Sequence, residues 1–295
     1  MALDLPRSLS PSSVSTFKDC PQSFKFAYVD RLPQPPSAAA SKGTLVHKAL
    51  EYLMVRPGSE RTLDAALADL DRARAALSDD PDFTGLDLNE AEWRSFQTEA
   101  EQLVRKYFEL EDPRDVRPIG LELKLSATVG STTVRGIIDR LELDTNGDLV
   151  VTDYKTGSVP GELWENSRLG GVHMYALLCE RMLGRRPVRV QLLYLSKPEA
   201  IIATPTEQSI SGVERKTSAL WTAIERACNL DDFRPKTGRL CDWCSYKAYC
   251  PAWGGDPERA VELRGPAALT PPLPLAAAGA PDPAPSPEDQ LLPTG

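Results

Sequence analysis

The spacing of apolar residues predicts that the first part of the chain is helical. Four segments repeat apolar side chains at the period of an amphipathic helix, and they are residues 12–28, 43–55, 61–78 and 89–110. The first of them offers an N-cap at Ser12 or Ser13. We therefore expect a helical N-terminal part.

After residue 119 the period changes, and apolar and polar side chains alternate as they do in strands. The predicted strands and helices of this part are strands at 120–129, 132–143, 148–154, 188–195 and 201–204, and helices at 163–184 and 207–228. The order of elements is three strands, a helix and further strands, with helices on either side. This order predicts an α/β fold with a mixed central sheet rather than a doubly wound sheet.

The last thirty residues have a different composition. Residues 266–295 are rich in Pro and Ala, show no periodicity and have little to bury, which predicts a disordered, inert extension. We expect one folded domain over residues 1–265, followed by this tail.

The charge and the hydropathy of the chain limit where the protein can be located, but they do not decide its function. No apolar run approaches the roughly 20 residues that span a bilayer, and residues 1–13 lack the pattern of a signal peptide. These features predict a cytoplasmic protein with no membrane partner. The net charge of −8, from 34 Lys and Arg against 42 Asp and Glu, argues weakly against nucleic acid. The global charge decides nothing by itself, because an acidic nuclease is compatible with it if carboxylates gather around a metal ion and basic residues line the groove.

Three of the six cysteines, Cys241, Cys244 and Cys250, lie within one short segment, which suits convergence on a metal. Cys20, in a polar setting far away in sequence, is the remaining candidate for a fourth ligand. Zinc and an iron–sulfur cluster both take four thiolates, so the spacing leaves both metals open, as well as a chance grouping. The other two cysteines follow apolar helical patterns and are predicted to be buried: Cys179 and Cys228.

Residues 136–157 combine two carboxylates and a lysine at the ends of apolar runs. Asp153 and Lys155 are two positions apart on a predicted strand, so they share a face. Asp139 ends the preceding apolar run. Carboxylates at such a site can hold Mg²⁺, and the lysine can orient a metal-activated water and offset charge on a phosphate. The alternative to a metal site is a solvated hairpin in which these are ordinary polar residues.

The turn between these strands decides whether the two aspartates meet. A two-residue Asn-Gly loop would put Asp139 and Asp153 on opposite faces. A three-residue loop over 145–147 pairs them directly, with Asp144 at the first turn position and Gly147 at the left-handed position. The turn residues suit the three-residue loop.

His47 ends a Gly43-Thr-Leu-Val-His box, and Glu51 lies one helical turn further on. Residues at this spacing lie on the same helix face. A single histidine in a helix is usually structural, but the pair could instead bind a metal or contact DNA.

In this order along the chain, the motifs resemble the RecB-like branch of the PD-(D/E)XK nuclease superfamily. The resemblance is to its iron–sulfur members, such as the AddB-type nuclease domain and related CRISPR-associated nucleases. The matching elements span residues 12–254: Cys20, the box ending at His47, GIIDR with Asp139, DYKTG with Asp153 and Lys155, Tyr175 in MYALL, and the C-x2-C-x5-C motif ending at Cys250.

The resemblance implies a restriction-endonuclease-like core with an iron–sulfur C-terminal segment. It implies Mg²⁺ or Mn²⁺ ligands at His47, Asp139, Asp153 and the Tyr154 carbonyl. Asp139, Asp153, Lys155 and Tyr175 are then the catalytic residues, with Lys155 activating water. The implied 4Fe–4S ligands are Cys20, Cys241, Cys244 and Cys250, with zinc as the substitute metal.

One position departs from the family. Gly171 stands where the family has Gln in its Gln-x3-Tyr motif, so DNA contact and full activity are in question there.

The leading hypothesis is a metal-dependent DNA exonuclease that acts on single strands or ends in DNA repair or recombination, associated with the nucleoid. The chain has no P-loop motif, so unwinding would need a helicase or another repair protein as partner. The alternatives are a catalytically weak DNA-binding scaffold with the same fold, and a zinc-stabilised protein unrelated to nucleases.

Overall fold

The computed structural model describes residues 3–159 and 162–264, with the backbone alone for 162–170, 261 and 264. The predicted tail, 266–295, lies outside these residues. The described chain divides into two compact units. One unit consists of residues 3–35, 128–134 and 214–264, and the other of residues 36–127 and 135–213.

The N-terminal part is helical, as predicted. Its elements are α1 Pro11–Asp19, α2 Pro21–Phe24, a π-helical turn Lys25–Val29, α3 Ala38–Val55, α4 Leu63–Ala76, α5 Pro81–Thr84 and α6 Glu90–Tyr107. The helices predicted at 43–55, 61–78 and 89–110 are confirmed as α3, α4 and α6, with shifted ends.

The helix predicted as continuous over 12–28 is interrupted at Cys20. Pro21 has no backbone N–H and disfavours a helical residue before it, and Cys20 is extended, with φ −159° and ψ 107°. The predicted N-cap was also wrong. Ser10 caps α1, because its hydroxyl accepts the Ser13 N–H at 3.2 Å while the Ser13 hydroxyl accepts the Ser10 N–H at 2.7 Å. Pro11 then occupies the first helical position, where its missing N–H costs nothing.

The second part contains the predicted strands and two long helices. They are β1 Arg117–Val129, β2 Thr132–Leu143, β3 Leu149–Lys155, α7 Glu162–Leu183, β4 Arg189–Tyr194, β5 Glu199–Ala203 and α8 Glu207–Leu230. The sheet order is β1-β2-β3-β4-β5. Strand β3 pairs antiparallel with β2 and parallel with β4, and β5 is antiparallel to β4. The prediction of a mixed α/β sheet is therefore confirmed.

The main hydrophobic core lies in the unit that contains most of the sheet. Helices α3, α4 and α6 bury their apolar faces there together with Tyr154 of β3 and Leu193 of β4. Leu50 and Leu53 of α3 are completely buried. Strand β3 is buried along nearly its whole length, so the core determines where its polar side chains lie.

The C-terminal cysteine segment is built from short 3₁₀ turns, at Arg239–Trp243, Lys247–Tyr249, Pro251–Trp253 and Pro257–Arg264. A small core of Phe26, Leu32, Tyr246 and Ala260 lies in the same unit. The buried Tyr246 hydroxyl donates to the Leu32 carbonyl at 3.1 Å. This contact fixes the segment to residues near the N-terminus. Across the described ranges, no helix has the length and apolarity needed to cross a membrane.

Candidate active site

The hairpin between β2 and β3 has the register predicted from its turn residues. Arg140 pairs with Thr152 and Leu143 with Leu149, and the same register extended by one residue puts Asp139 opposite Asp153. The Gly147 N–H donates to the Asp144 carbonyl at 3.1 Å, and Gly147 has a φ of +81°. The three-residue loop is confirmed, and it brings the two aspartates to neighbouring positions.

Around these aspartates the polar contacts are dense. Asp139 Oδ2 accepts the backbone N–H of Tyr154 at 2.7 Å. Asp153 is buried, with 3% of its surface exposed. Its carboxylate forms an ion pair with the Lys155 ammonium and a hydrogen bond with Tyr175. The predicted residues Asp139, Asp153, Lys155 and Tyr175 therefore lie together.

Helix α3 brings His47 to the same place. Its Nε2 lies 3.0 Å from the Tyr154 carbonyl oxygen, to which it donates. Its Nδ1 lies 3.4 Å from Asp139 Oδ2. The imidazole thus contacts both the peptide oxygen and the carboxylate that the resemblance implies as metal ligands. Glu51, one turn on, is engaged elsewhere, since it accepts from Lys48 Nζ at 2.8 Å.

Glu122 belongs to this cluster, and the sequence reasoning missed it. One ligand atom each of Glu122, His47 and Asp139 lies within 4.8 Å of the others. Glu122 has a φ of +47°, which is uncommon for a residue other than glycine. A signal was present in the sequence. A two-residue hairpin loop at Gly130 and Ser131 pairs position 122 with position 139.

The cluster carries more negative than positive charge. Burial raises the pKa of Glu122 to about 7, and repulsion from Asp139 adds to the rise. Burial and the Asp153 carboxylate raise the pKa of Asp139 to about 6. Carboxyl groups crowded in this way gain from a cation that all of them can share. Hard oxygen donors beside an imidazole suit a divalent metal ion. The residues present therefore fit the Mg²⁺ or Mn²⁺ ion that the resemblance implies.

Lys155 keeps its charge in this environment. Burial by itself lowers the pKa of Lys155, but the adjacent Asp153 carboxylate outweighs it, so the pKa lies above its ordinary value. The pKa of the Tyr175 hydroxyl is raised by burial and by Asp153. At neutral pH the site therefore presents an ammonium group and a neutral phenol beside the carboxylates.

A glycine allows α7 to approach the sheet at this point. A Cβ atom at Gly136 would lie 2.9 Å from Leu178 Cδ1 and 3.0 Å from Tyr175 Cε1. Both distances are shorter than ordinary packing allows, so a side chain at position 136 would force Leu178 and the Tyr175 ring to shift. Gly171, at the position where the family has Gln, lies in the same helix, α7.

Next to Asp139 on β2 lies a completely buried arginine, Arg140. It donates to the Tyr154 hydroxyl at 2.8 Å, to Thr152 Oγ1 at 3.2 Å and to Glu111 Oε2 at 3.0 Å. Its Nε contacts Glu142 at 2.5 Å. Buried charges need partners of this kind. The network ties the residues next to Asp139 and Asp153 to each other.

The four cysteines implied as cluster ligands lie in the other unit, each partly buried and none in a disulfide. Burial raises the pKa of Cys250, and the charges of Cys20, Cys244 and Cys241 add to the rise, so each of these three thiols lies in the neighbourhood of Cys250. Cys20 Sγ accepts the Lys236 N–H at 3.5 Å, and Cys241 Sγ accepts the Gly238 N–H at 3.4 Å. Such N–H donors are typical around metal-bound sulfur.

The two remaining cysteines, Cys179 and Cys228, are completely buried. Their predicted role as small apolar core residues agrees with this burial.

Comparison with known proteins identifies the class. The model of the PD-(D/E)XK nuclease superfamily matches residues 8–251 of this chain. The chain belongs to the PD-(D/E)XK nuclease superfamily.

Two relatives illustrate the similarity. The chain is 31% identical over 175 residues to the Gene 69 protein of Mycobacterium phage D29, a match that covers 52% of this chain and 64% of that protein. The match thus spans less than two thirds of the relative's length. The fold is similar to a crystal structure of a candidate exonuclease from Eubacterium rectale, with a TM-score of 0.51, 12% identity and coverage of 81% of this chain and 88% of that one.

Proposed function

We propose that this chain is a metal-dependent deoxyribonuclease that acts as an exonuclease on single strands or DNA ends. The observation that carries the proposal is the convergence of His47, Glu122, Asp139, Asp153 and Lys155 at one end of the β2–β3 hairpin. The chain is a member of a nuclease superfamily, and the cluster has the donors and the charge that phosphodiester hydrolysis requires.

In this proposal His47, Glu122, Asp139, Asp153 and the Tyr154 carbonyl hold Mg²⁺ or Mn²⁺. When bound, such an ion supplies positive charge that polarises the scissile phosphate and makes a water molecule more acidic. The backbone N–H of Tyr154 and the His47 ring keep the Asp139 carboxylate oriented.

Lys155 orients the attacking water and offsets the charge that grows on the phosphate. Asp153 fixes the lysine ammonium, and Tyr175 fixes Asp153. The water oxygen bonds to phosphorus and releases one proton to solvent, the phosphorus–oxygen bond to the departing nucleotide breaks, and the departing oxygen takes up a proton from solvent. In this proposal Lys155 acts on the water and the phosphate, while Asp153 and Tyr175 keep Lys155 in position.

The second part of the proposal is a 4Fe–4S cluster on Cys20, Cys241, Cys244 and Cys250. The influence of the other three thiols on Cys250 and the N–H donors to Cys20 and Cys241 support it. Zinc is the alternative metal, and it would use the same four ligands. Either metal would join the α1–α2 junction at Cys20 to the C-terminal cysteine segment and add its binding free energy to folding.

A catalytically weak DNA-binding scaffold is the second candidate function, and Gly171 in place of the family's Gln favours it. A repair role, a location at the nucleoid and a helicase or other repair partner are further parts of the main proposal, and they rest on the resemblance alone.

The test is a cleavage assay on end-labelled single-stranded and duplex DNA with Mg²⁺ or Mn²⁺, run with and without EDTA. The exonuclease proposal expects a ladder that shortens from one end, mostly on single strands, and no product in EDTA. If only internal cuts are observed, the chain is an endonuclease and not an exonuclease. DNA binding without metal-dependent cleavage would favour the scaffold.

A further inference from the structure

An aromatic ring next to the candidate active site carries two cations. Lys48 Nζ lies 5.0 Å from the centroid of the Tyr52 ring, and the Arg72 guanidinium carbon lies 4.0 Å from the same centroid. Both distances are within the range of a cation–π contact. Helices α3 and α4 are therefore joined here by a stack of Lys48, Tyr52 and Arg72.

The stack begins beside the metal-ligand cluster. Lys48 follows His47 directly in α3, and Tyr52 lies one helical turn after Lys48. From there the stack leads to Arg72 on the exposed side of α4.

Arg72 has no carboxylate partner among the residues that the structure describes, although acidic residues are close in sequence. Asp69 is bound by Arg56, with hydrogen bonds of 2.7 and 2.8 Å. Asp71 pairs with Arg74 at 3.0 Å. The guanidinium of Arg72 is thus exposed, held in place by an aromatic ring and not neutralised. Such a group is ready to bind a phosphate.

We propose that Lys48, Tyr52 and Arg72 form a subsite for the sugar–phosphate backbone of the DNA substrate, adjoining the site of cleavage. The inference rests on the proposed nuclease function. It adds the position of the DNA strand on the protein surface. Arg72 binds a backbone phosphate, and Tyr52 fixes the orientation of its guanidinium. Lys48 lies between that phosphate and the reacting one, and its partner Glu51 keeps it in position.

The slope of DNA affinity against salt tests the subsite. Each phosphate contact to a single strand contributes about 0.7 to the slope of log affinity against log salt concentration. Fluorescence anisotropy of a labelled single strand in EDTA, repeated over a range of salt, measures that slope without cleavage. Arg72→Ala should lower the slope by about 0.7 and weaken binding at low salt.

Arg74→Ala is the matched control, because it removes an arginine two residues further along α4 that is already paired with Asp71. It should leave the slope at the wild-type value. Tyr52→Leu keeps both cations but removes the ring, so it should weaken binding by less than Arg72→Ala. Arg72→Gln provides a second variant if Arg72→Ala unfolds, as judged by circular dichroism.

The outcomes separate this inference from the function on which it rests. A wild-type slope in folded Arg72→Ala or Arg72→Gln overturns the subsite, while metal-dependent cleavage by the wild type still supports the nuclease. Equal losses in Arg72→Ala and Arg74→Ala also overturn it, because they indicate a general charge effect. A wild-type chain that neither binds nor cleaves DNA overturns both proposals.

Discussion

The backbone N–H of Tyr154 donates a hydrogen bond to Asp139 Oδ2 over 2.7 Å. The carboxylate of one strand is therefore held by the peptide that lies between Asp153 and Lys155 on the next strand. The carbonyl of the same residue, Tyr154, accepts from His47 at 3.0 Å. One residue of β3 thus links the helix, the two strands and the proposed metal ligands.

Glu122 provides the first prediction. If its carboxylate is a metal ligand, Glu122→Gln should weaken Mn²⁺ binding by about tenfold or more, because a charged oxygen donor is lost. Isothermal titration of the metal-free chain with Mn²⁺ measures this. Glu207→Gln, at an exposed position of α8, is the control and should bind as the wild type does. Equal affinities in all three proteins would remove Glu122 from the ligand set.

The second prediction concerns Gly136. Gly136→Ala introduces a Cβ that overlaps Leu178 and Tyr175, so the free energy of unfolding should fall by about 1–3 kcal/mol, and cleavage should fall with the displacement of Tyr175. Gly212→Ala is the contrast, because nothing lies within 4 Å of that Cβ. It should stabilise helix α8 by about 0.5–1 kcal/mol. Urea denaturation measures both changes, and a neutral Gly136→Ala would contradict the close approach of α7.

The third prediction concerns the buried network of Arg140. Arg140→Leu leaves Glu111 and Glu142 without their cation, so the free energy of unfolding should fall by about 3–5 kcal/mol. Adding Glu142→Gln should restore part of the loss, since one unpaired buried charge disappears. Urea denaturation of the single and double variants tests this. If Glu142→Gln adds its full cost to that of Arg140→Leu, the two side chains are not coupled.

The hairpin shows how much of the site could be predicted from local sequence. Its register followed from the turn chemistry of Asp144 and Gly147, because a glycine in the left-handed region fixes the loop length. Glu122 was missed because its place depends on the pairing of β1 with β2, and its own surroundings in sequence look like an ordinary exposed strand.

The N-terminal helix shows a different limit. The helical structure predicted from the spacing of apolar residues was correct on both sides of Cys20. The same spacing could not show that the helix is interrupted there. Pro11 and Pro21 were the local signals for the helix start and for the break. The stack on Tyr52 could not be predicted, because Arg72 reaches it from another helix.

The fourth prediction concerns the cysteines. Cys20→Ser should lose iron as completely as Cys244→Ser, although Cys20 is remote in sequence, because both thiols are proposed ligands of one cluster. Iron and sulfide analysis after anaerobic purification, with a visible spectrum, measures the loss. Cys228→Ala, at a completely buried position, should keep the iron and cost only local packing. Full iron content in Cys20→Ser would assign the fourth ligand elsewhere, and stoichiometric zinc in the wild type would replace the cluster with a zinc site.

The most direct test of the proposed nuclease is the rate at which Asp153→Ala and Lys155→Ala cleave end-labelled single-stranded DNA in Mn²⁺. Asp153 is a proposed metal ligand and the partner of Lys155, so either substitution should lower the rate by at least about 100-fold relative to the wild type. Circular dichroism should show both variants folded, and Lys155→Ala should retain more Mn²⁺ binding than Asp153→Ala. Cleavage by both folded variants at the wild-type rate would contradict the assignment of the active site.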